Sequence, residues 1–433
     1  MRRWISGIVR RNPAGAAADA AGASRGPSGP PGADRNYPTG AGSDLHVCVV
    51  GSGTRFLSGI SYYTLRLSNA FAGTRRVSVV LMRQLLPTRL YPGRERVGAD
   101  LTRLAFAPTV KVFNGVDWYW LPSMGRALAF LVRQRPDVLV FQWWSGTVLH
   151  SYLLLGAVAK VLKARIVVEF HEVLDTGEAN IPWASAYVRA TMPLLVRLAS
   201  GFVVHSEHDR VVLDRRYRLG SRPVATIPLA TLPHGPYDQH KAEGADPRRE
   251  APASSCNVLY FGVIRPYKGL EDLVAAFEAL SPDEVDGFWL TVVGETWEGW
   301  TLPGDMIARS KYRHRITFVN RYVTDEEVGG YFATADLVAL PYRRSSASGP
   351  LHLAMSYGLP TVVSAVGGLT EVAANYEGAL LVQPGDPAAI LEALRKGCGL
   401  RGRRFADPYS WTKTVDRFDK LFSRALHGGG HAS

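Results

Sequence analysis

VLYFGVIRPYKGLEDLVAAF, residues 258–277, is the stretch from which the fold can be read. It opens with an apolar run, Val258 to Phe261, too continuous for a strand with one wet face. Gly262 ends the run, a short loop carries Arg265 and Lys268, and Gly269 opens a helix. Leu270, Leu273, Val274, Phe277 and Leu280 fall on one stripe of that helix. A buried strand feeding an amphipathic helix is the unit of a parallel sheet covered on both faces.

The same alternation extends in both directions. Downstream come FWLTVVG (288–294), ITFV (316–319), a helix at 325–334, LVAL (337–340), a helix near 350–357, TVVS (361–364), ALLV (379–382) and a helix from Pro387. Upstream, LHVCVV (45–50) precedes a helix bearing Ile60, Tyr63, Thr64, Leu67, Ala70 and Phe71 on one face. VSVVLM (77–82), VKVF (110–113), VLVFQW (138–143), IVVEF (166–170) and FVVH (202–205) follow, with helices around 124–133, 146–163 and 184–199. Two such series predict an α/β protein of two Rossmann-like, doubly wound domains facing a central cleft. Ligands of such folds sit at the carboxyl ends of the strands.

The expected boundaries are a disordered tail at 1–43, an N-terminal domain at 44–232, a linker at 233–256, a C-terminal domain at 257–408, a returning helix at 409–426 and a short tail at 427–433. The first tail is rich in Ala, Gly, Pro, Ser and Arg, which cannot bury enough apolar surface to offset ordering. The linker carries Pro, Gly and charge. At 433 residues, 46% hydrophobic and 20% charged, the chain can fill two cores.

The formal net charge is +12, part of it from Arg2, Arg3, Arg10, Arg11, Arg25 and Arg35 in the tail. Such a balance suits phosphorylated substrates, an anionic membrane surface or a merely solvated exterior. No Lys/Arg run with interleaved aromatics marks a nucleic-acid groove. No segment reaches the about 18 apolar residues of a spanning helix. Cys48, Cys256 and Cys398 are far apart and lack metal-ligand spacing. They read as free thiols in a reducing compartment rather than as a disulfide scaffold.

Arg265 and Lys268, three apart beside a helix N-terminus, form a candidate diphosphate site; solvated loop cations are the alternative. His171 closes the strand IVVEFHE (166–172) and would point into the cleft. His205-Ser206 stands at the next strand end, with Ser206 expected as an N-cap. In GSGTRFLSGISYY (51–63), Gly51 and Gly53 fit a dinucleotide fingerprint but Phe56 occupies its third glycine position, which makes NAD binding a weak reading.

Arg265, Lys268, Gly269 and Leu270, with Ala354, Met355, Gly358, Pro360, Gly367-Gly368-Leu369 and Glu371, resemble the motifs of retaining glycosyltransferases of family 4. The likeness covers roughly residues 45–425, including the Trp-bearing end SWTKTVDRFDKLFSRAL (410–426). It implies the GT-B fold and metal-independent transfer of a sugar from a nucleoside-diphosphate sugar to an acceptor hydroxyl, with no cofactor. It also implies roles in polysaccharide, glycolipid or other cell-envelope glycoconjugate synthesis.

By the same resemblance, Arg265 and Lys268 neutralise the leaving diphosphate and His171 lies near the donor sugar. Ser58 and Gly59, Gly262, and Ser348, Gly349, Pro350 and Leu351 contact the donor. The family's two glutamates, eight positions apart, would fall at Ser345 and Leu353, and neither is Glu. The Ser-rich run 345–348 resembles a subgroup lacking that pair. An inactive pseudo-transferase that binds nucleotide or a partner, or a sugar-nucleotide epimerase, are the alternatives. The implied location is cytoplasmic, with peripheral contact at the inner membrane face and a lipid-linked acceptor left open.

Overall fold

The computed structural model describes residues 44–427, apart from 56–57, 86–87, 89–96, 99–101, 103, 118–119, 174–181, 231–250, 298 and 346. The tail expected at 1–43, the one expected at 427–433 apart from His427, which ends the last helix, and most of the expected linker therefore lie outside the described residues.

The first sheet takes β1 (His46–Ser52), β2 (Arg76–Gln84), β3 (Lys111–Asp117), β4 (Val138–Trp143), β5 (Arg165–Phe170), β6 (Gly201–Val204) and β7 (Val224–Thr226). All pairings are parallel, in the order β3-β2-β1-β4-β5-β6-β7. Its helices are α1 (Gly59–Ala72), α2 (Leu121–Gln134), α3 (Leu149–Val161), α4 (Pro182–Leu198) and α5 (Glu207–Arg216). The pleat sorts alternate residues to opposite faces. Cys48 and Val50 join a core with α2, α3 and α4, whereas Val47 and Val49 join a core with α1.

The second sheet repeats the plan. Its strands are β8 (Cys256–Phe261), β9 (Phe288–Val293), β10 (Ile316–Val319), β11 (Leu337–Leu340), β12 (Thr361–Ser364) and β13 (Ala379–Val382), in the order β10-β9-β8-β11-β12-β13. Leu259 of β8 sits between Thr291 of β9 and Val338 of β11, all parallel. The helices here are α6 (Leu270–Glu278), α7 (Pro282–Val285), α8 (Leu302–Arg309), α9 (Asp325–Thr334), α10 (Gly349–Ser356), α11 (Gly367–Ala374) and α12 (Pro387–Cys398). In each sheet the strand order reverses beside the first strand, between β1 and β4 and between β8 and β11. Those reversals open crevices at the strand ends.

The last helix, α13 (Trp411–His427), does not stay with the second sheet. Trp411, Val415, Phe418, Leu421 and Phe422 fill the core of the first, beside Val47, Phe71 and Val203. The Phe71 and Phe418 rings meet edge to face at 5.2 Å.

One expectation is overturned. Cys256 and Cys398 are joined in a disulfide that spans 142 residues of sequence, and only Cys48 remains a free, buried thiol. Cys256 begins β8 and Cys398 ends α12; a helix antiparallel to its strands returns to the end where they start, which brings the two sulfurs together. The reading of three free thiols, and of a reducing compartment from them, loses its basis.

Candidate active site

A cavity of ≈ 440 Å³ opens between the two sheets, with walls from both halves. His171, Glu172 and His208 belong to the first-half wall; Lys268, Arg344, Ser345 and Gly367 belong to the second. Lys268 arrives on the loop after β8 and donates from Nζ to the Tyr342 hydroxyl, just past β11, at 2.8 Å. Its ammonium also sits 4.0 Å from the Tyr342 ring centroid. The cation thus stands at the β8/β11 reversal. Burial lowers its pKa, partly opposed by the phenol of Tyr267 and by Glu172. An anion entering the cavity would restore the stability of the charged form.

The loop that aims Lys268 depends on Gly269, which sits at φ +63 and whose absent Cβ would lie 2.1 Å from the Pro341 carbonyl oxygen. Any side chain there would push the loop away from β11. Gly262 ends β8 at φ +127, facing Pro350 of α10. Neighbouring Arg343 is already neutralised, donating to Asp272 at 3.0 and 2.8 Å and pairing with Glu271 at 2.7 Å.

The expected site residues divide. Lys268 and His171 line the cavity. The described lining does not include Arg265, whose guanidinium lies over the Trp297 ring at 4.5 Å. It is near enough to lower the Lys268 pKa. Ser58 serves as the N-cap of α1, accepting from the Ser61 N–H, and neither it nor Gly59 is in the described lining. Ser348 caps α10 by accepting from the Leu351 N–H at 3.2 Å. Pro350 has no N–H, and neither Gly262 nor any of Ser348, Gly349, Pro350 and Leu351 is in the described lining. Leu353 is buried in the core of the second sheet, and the Ser345 hydroxyl donates to the Ala347 carbonyl at 2.7 Å. Neither takes the place of a carboxylate.

Beneath His171 lies a buried polar network that periodicity does not reveal. The Ile227 carbonyl can only accept, so His205 Nδ1, 2.8 Å away, carries the proton. His205 Nε2 then accepts from His171 Nδ1 at 3.1 Å. This leaves His171 Nε2 as a lone pair, 3.9 Å from Glu169 Oε2 and beyond hydrogen-bond reach. Glu169 is fully buried, accepting from the Tyr63 hydroxyl at 2.6 Å and the Gln142 amide at 3.2 Å. Burial pushes its pKa up to about 7, opposed by those two bonds. Burial also holds His171 well below its ordinary value and His205 at about 4. Both imidazoles are therefore neutral near pH 7, while Glu169 changes charge around that pH. Glu169, His171 and His205 have metal-ligand spacing, with atoms within 4.8 Å, but the carboxylate oxygens and both Nδ1 atoms already have protein partners.

Two carboxylates of the second half grip the first. Glu371 accepts from the Glu207 and His208 N–H groups at 2.6 and 2.7 Å, at the positive end of α5. Asp325 accepts from the Tyr62 and Thr102 hydroxyls. Glu371 had a motif match as its only sequence signal; Glu169, two residues before His171 on a strand and thus on the same side, could have been found by that spacing.

The family described as glycosyl transferases group 1 matches residues 255–397. A D-inositol 3-phosphate glycosyltransferase of Segniliparus rotundus is 26% identical over 409 residues, covering 88% of this chain and 87% of that one. A glycogen synthase of Mycobacterium tuberculosis is 30% identical over 361 residues, covering 78% and 82%. Among solved structures, sucrose-phosphate synthase from Thermosynechococcus elongatus superposes with a TM-score of 0.60 at 18% identity, covering 89% of this chain and 97% of that one. Anabaena HepE in complex with UDP-glucose gives 0.59 at 16% identity, covering 88% and 100%. With two parallel sheets, a cleft between them and relatives of this extent, the chain belongs to the group 1 glycosyltransferases of GT-B fold.

Proposed function

We propose that this glycosyltransferase takes its sugar from a nucleoside diphosphate bound in the ≈ 440 Å³ cavity, and transfers it to an acceptor hydroxyl with retention of configuration. The observation that carries the reading is Lys268, a cation bonded to a neutral phenol at the β8/β11 reversal, facing the wall that holds His171. Breaking a sugar–phosphate bond places negative charge on the diphosphate. A cation already positioned in a partly dry cavity stabilises that charge without reorganisation. Arg265, 4.5 Å above Trp297, adds positive potential from behind.

His171 faces the donor as a neutral ring. Its Nδ1 is committed to His205 and its Nε2 is buried toward Glu169, so the ring meets the donor through its carbon edge and not through a free nitrogen. No carboxylate among the cavity's described lining is assigned as a nucleophile; the reaction uses the leaving diphosphate's own charge on one face of the sugar. A uridine nucleotide is the favoured donor, because the structural relative HepE is bound to UDP and UDP-glucose. The acceptor is a glycan or a lipid-borne sugar or alcohol, reached through peripheral contact with a membrane. No described helix is long and apolar enough to span one.

Thermal shifts with UDP, GDP and ADP sugars identify the donor, followed by release of the nucleoside diphosphate in the presence of acceptors. The reading predicts release that Lys268→Ala abolishes while the fold persists. Tight donor binding with no release across a broad acceptor panel would replace it with a nucleotide-binding pseudo-transferase, in keeping with Ser345 and Leu353.

A further inference from the structure

The outer face of the first half exposes cations on helices that carry no acid. Helices α2, α3 and α4 pack on the same face of the first sheet, α3 touching both neighbours. Their spans, 121–134, 149–161 and 182–198, contain no Asp or Glu. By contrast α5 carries Glu207, Asp209 and Asp214, and α9 begins Asp325-Glu326-Glu327. On the three acid-free helices Arg126, Arg133, Lys160, Arg189 and Arg197 are exposed. Arg126 and Arg189 donate back to their own helices, at Pro122 O and Ser185 Oγ. Asp137, in the loop after α2, turns its carboxylate to the His46 N–H.

The same face exposes large apolar side chains. Leu121 at the start of α2 is 73% exposed, Trp183 at the start of α4 is 76% and Val161 at the end of α3 is 82%. In a parallel α/β layer the helices run against the strands, so helix starts stand where strands end. Leu121 and Trp183 are therefore at the cleft end of the face. An indole and a leucine at one end of the face, with Arg126 and Arg189 along the helices and Arg133 and Arg197 at their far ends, match a surface, met side-on, that is negatively charged outside and apolar just beneath. A soluble acidic protein would satisfy the cations but not these protruding apolar tips.

We propose that α2, α3 and α4 form a docking face for an anionic lipid bilayer, which seats the cleft rim at the headgroups. The proposal rests on the lipid-borne acceptor reading and gives it a surface. The cations supply the attraction, each on the order of fivefold in partitioning, and Leu121 and Trp183 enter the interface.

The test is co-sedimentation of the full-length protein with phosphatidylcholine vesicles, plain or with about one-third phosphatidylglycerol. Binding is expected to the anionic vesicles, weakening steeply with salt. Replacing Arg126, Arg133, Arg189 and Arg197 together by Glu should lower partitioning at least about 100-fold. Leu121→Ser with Trp183→Ser should lower it about tenfold. Arg309→Glu with Lys311→Glu, on the second half, should leave it unchanged. Retained thermal stabilisation by the nucleotide donor shows that each variant is folded. Equal binding of the fourfold reversal and the parent overturns the proposal, as does a parent that stays in the supernatant with both vesicle types. The assay needs no turnover: a protein that transfers sugar yet ignores vesicles sinks this surface alone, and one that binds vesicles but releases no nucleoside diphosphate sinks only the transferase reading.

Discussion

Around the cleft, the second half presents a loop cation and helix ends: Lys268 on a glycine-dependent turn, Ser348 at the start of α10, Gly367 at the start of α11. The first half presents side chains standing on strand ends and tied together underneath, His171 on His205 and Glu169 on Tyr63 and Gln142. The strand orders are alike, 3-2-1-4-5-6 in both, with β7 added to the first. The difference teaches that one topology can hold a fixed cation on the donor side and buried, uncharged imidazoles on the other. A diphosphate leaving group needs a fixed cation.

Removing the charge should have the largest effect. Lys268→Ala is expected to lower the rate of nucleoside diphosphate release about 10²–10³-fold, the scale of losing one electrostatic stabiliser of a transition state. Arg265→Ala should cost less, because its guanidinium is stacked on Trp297. Equal losses would mean that both cations touch the diphosphate and that the stacked arrangement opens on binding.

Next in size is the disulfide, which lies in the second half alone. Cys256→Ser with Cys398→Ser frees a 142-residue loop in the unfolded chain. A stability loss of roughly 2–4 kcal/mol, the range typical of disulfides, is expected, read by urea denaturation. Activity of the folded protein should persist, since the bridge sits at the strand starts and the cavity at the strand ends. A third effect tests how the halves are held together. Glu371→Gln keeps the size but weakens two charge-assisted bonds to the α5 amides. About 1 kcal/mol of stability should be lost, together with a raised KM for donor, measured by initial rates.

The smallest effect concerns the buried network around Glu169. A Glu169 pKa raised to about 7 means that the native state binds more protons than the unfolded chain between about pH 4.5 and 7. Native stability from this group is therefore present at low pH and declines as pH rises through that window. In Glu169→Gln the decline is absent, so the Tm of the variant relative to the parent should climb across the window and level off above it. A flat difference would mean that Glu169 is ionised at all these pH values. His205, held at about 4, works in the opposite direction, losing stability as pH falls below the ordinary histidine range, and the subtraction removes it.

The sheets were legible because buried strands are continuous apolar runs and their helices carry a stripe; α9 spans the expected 325–334. Lys268 was legible because a cation between a strand and a helix has one place to go. What stayed hidden depended on distance through space. Nothing in the spacing of Cys256 and Cys398 says that a helix will carry one sulfur back to the other. Arg265 and Lys268 look equivalent in sequence, and only the position of Trp297 separates them. Ser58 and Gly59 resembled donor contacts, whereas the local need of α1 for a cap claims Ser58.

The return of α13 sets a condition on biosynthesis. The inner surface that β1, β2 and α1 offer is closed by Trp411, Phe418 and Phe422, encoded after nearly every other residue. At ribosomal speeds of about 5–20 residues per second, the roughly 185 residues between Thr226 and Trp411 take on the order of 10–40 s to emerge. For that interval the amino-terminal lobe waits with a greasy flank bare, so a message cut short before Trp411 should yield clumped, chaperone-bound product and not a half-active enzyme.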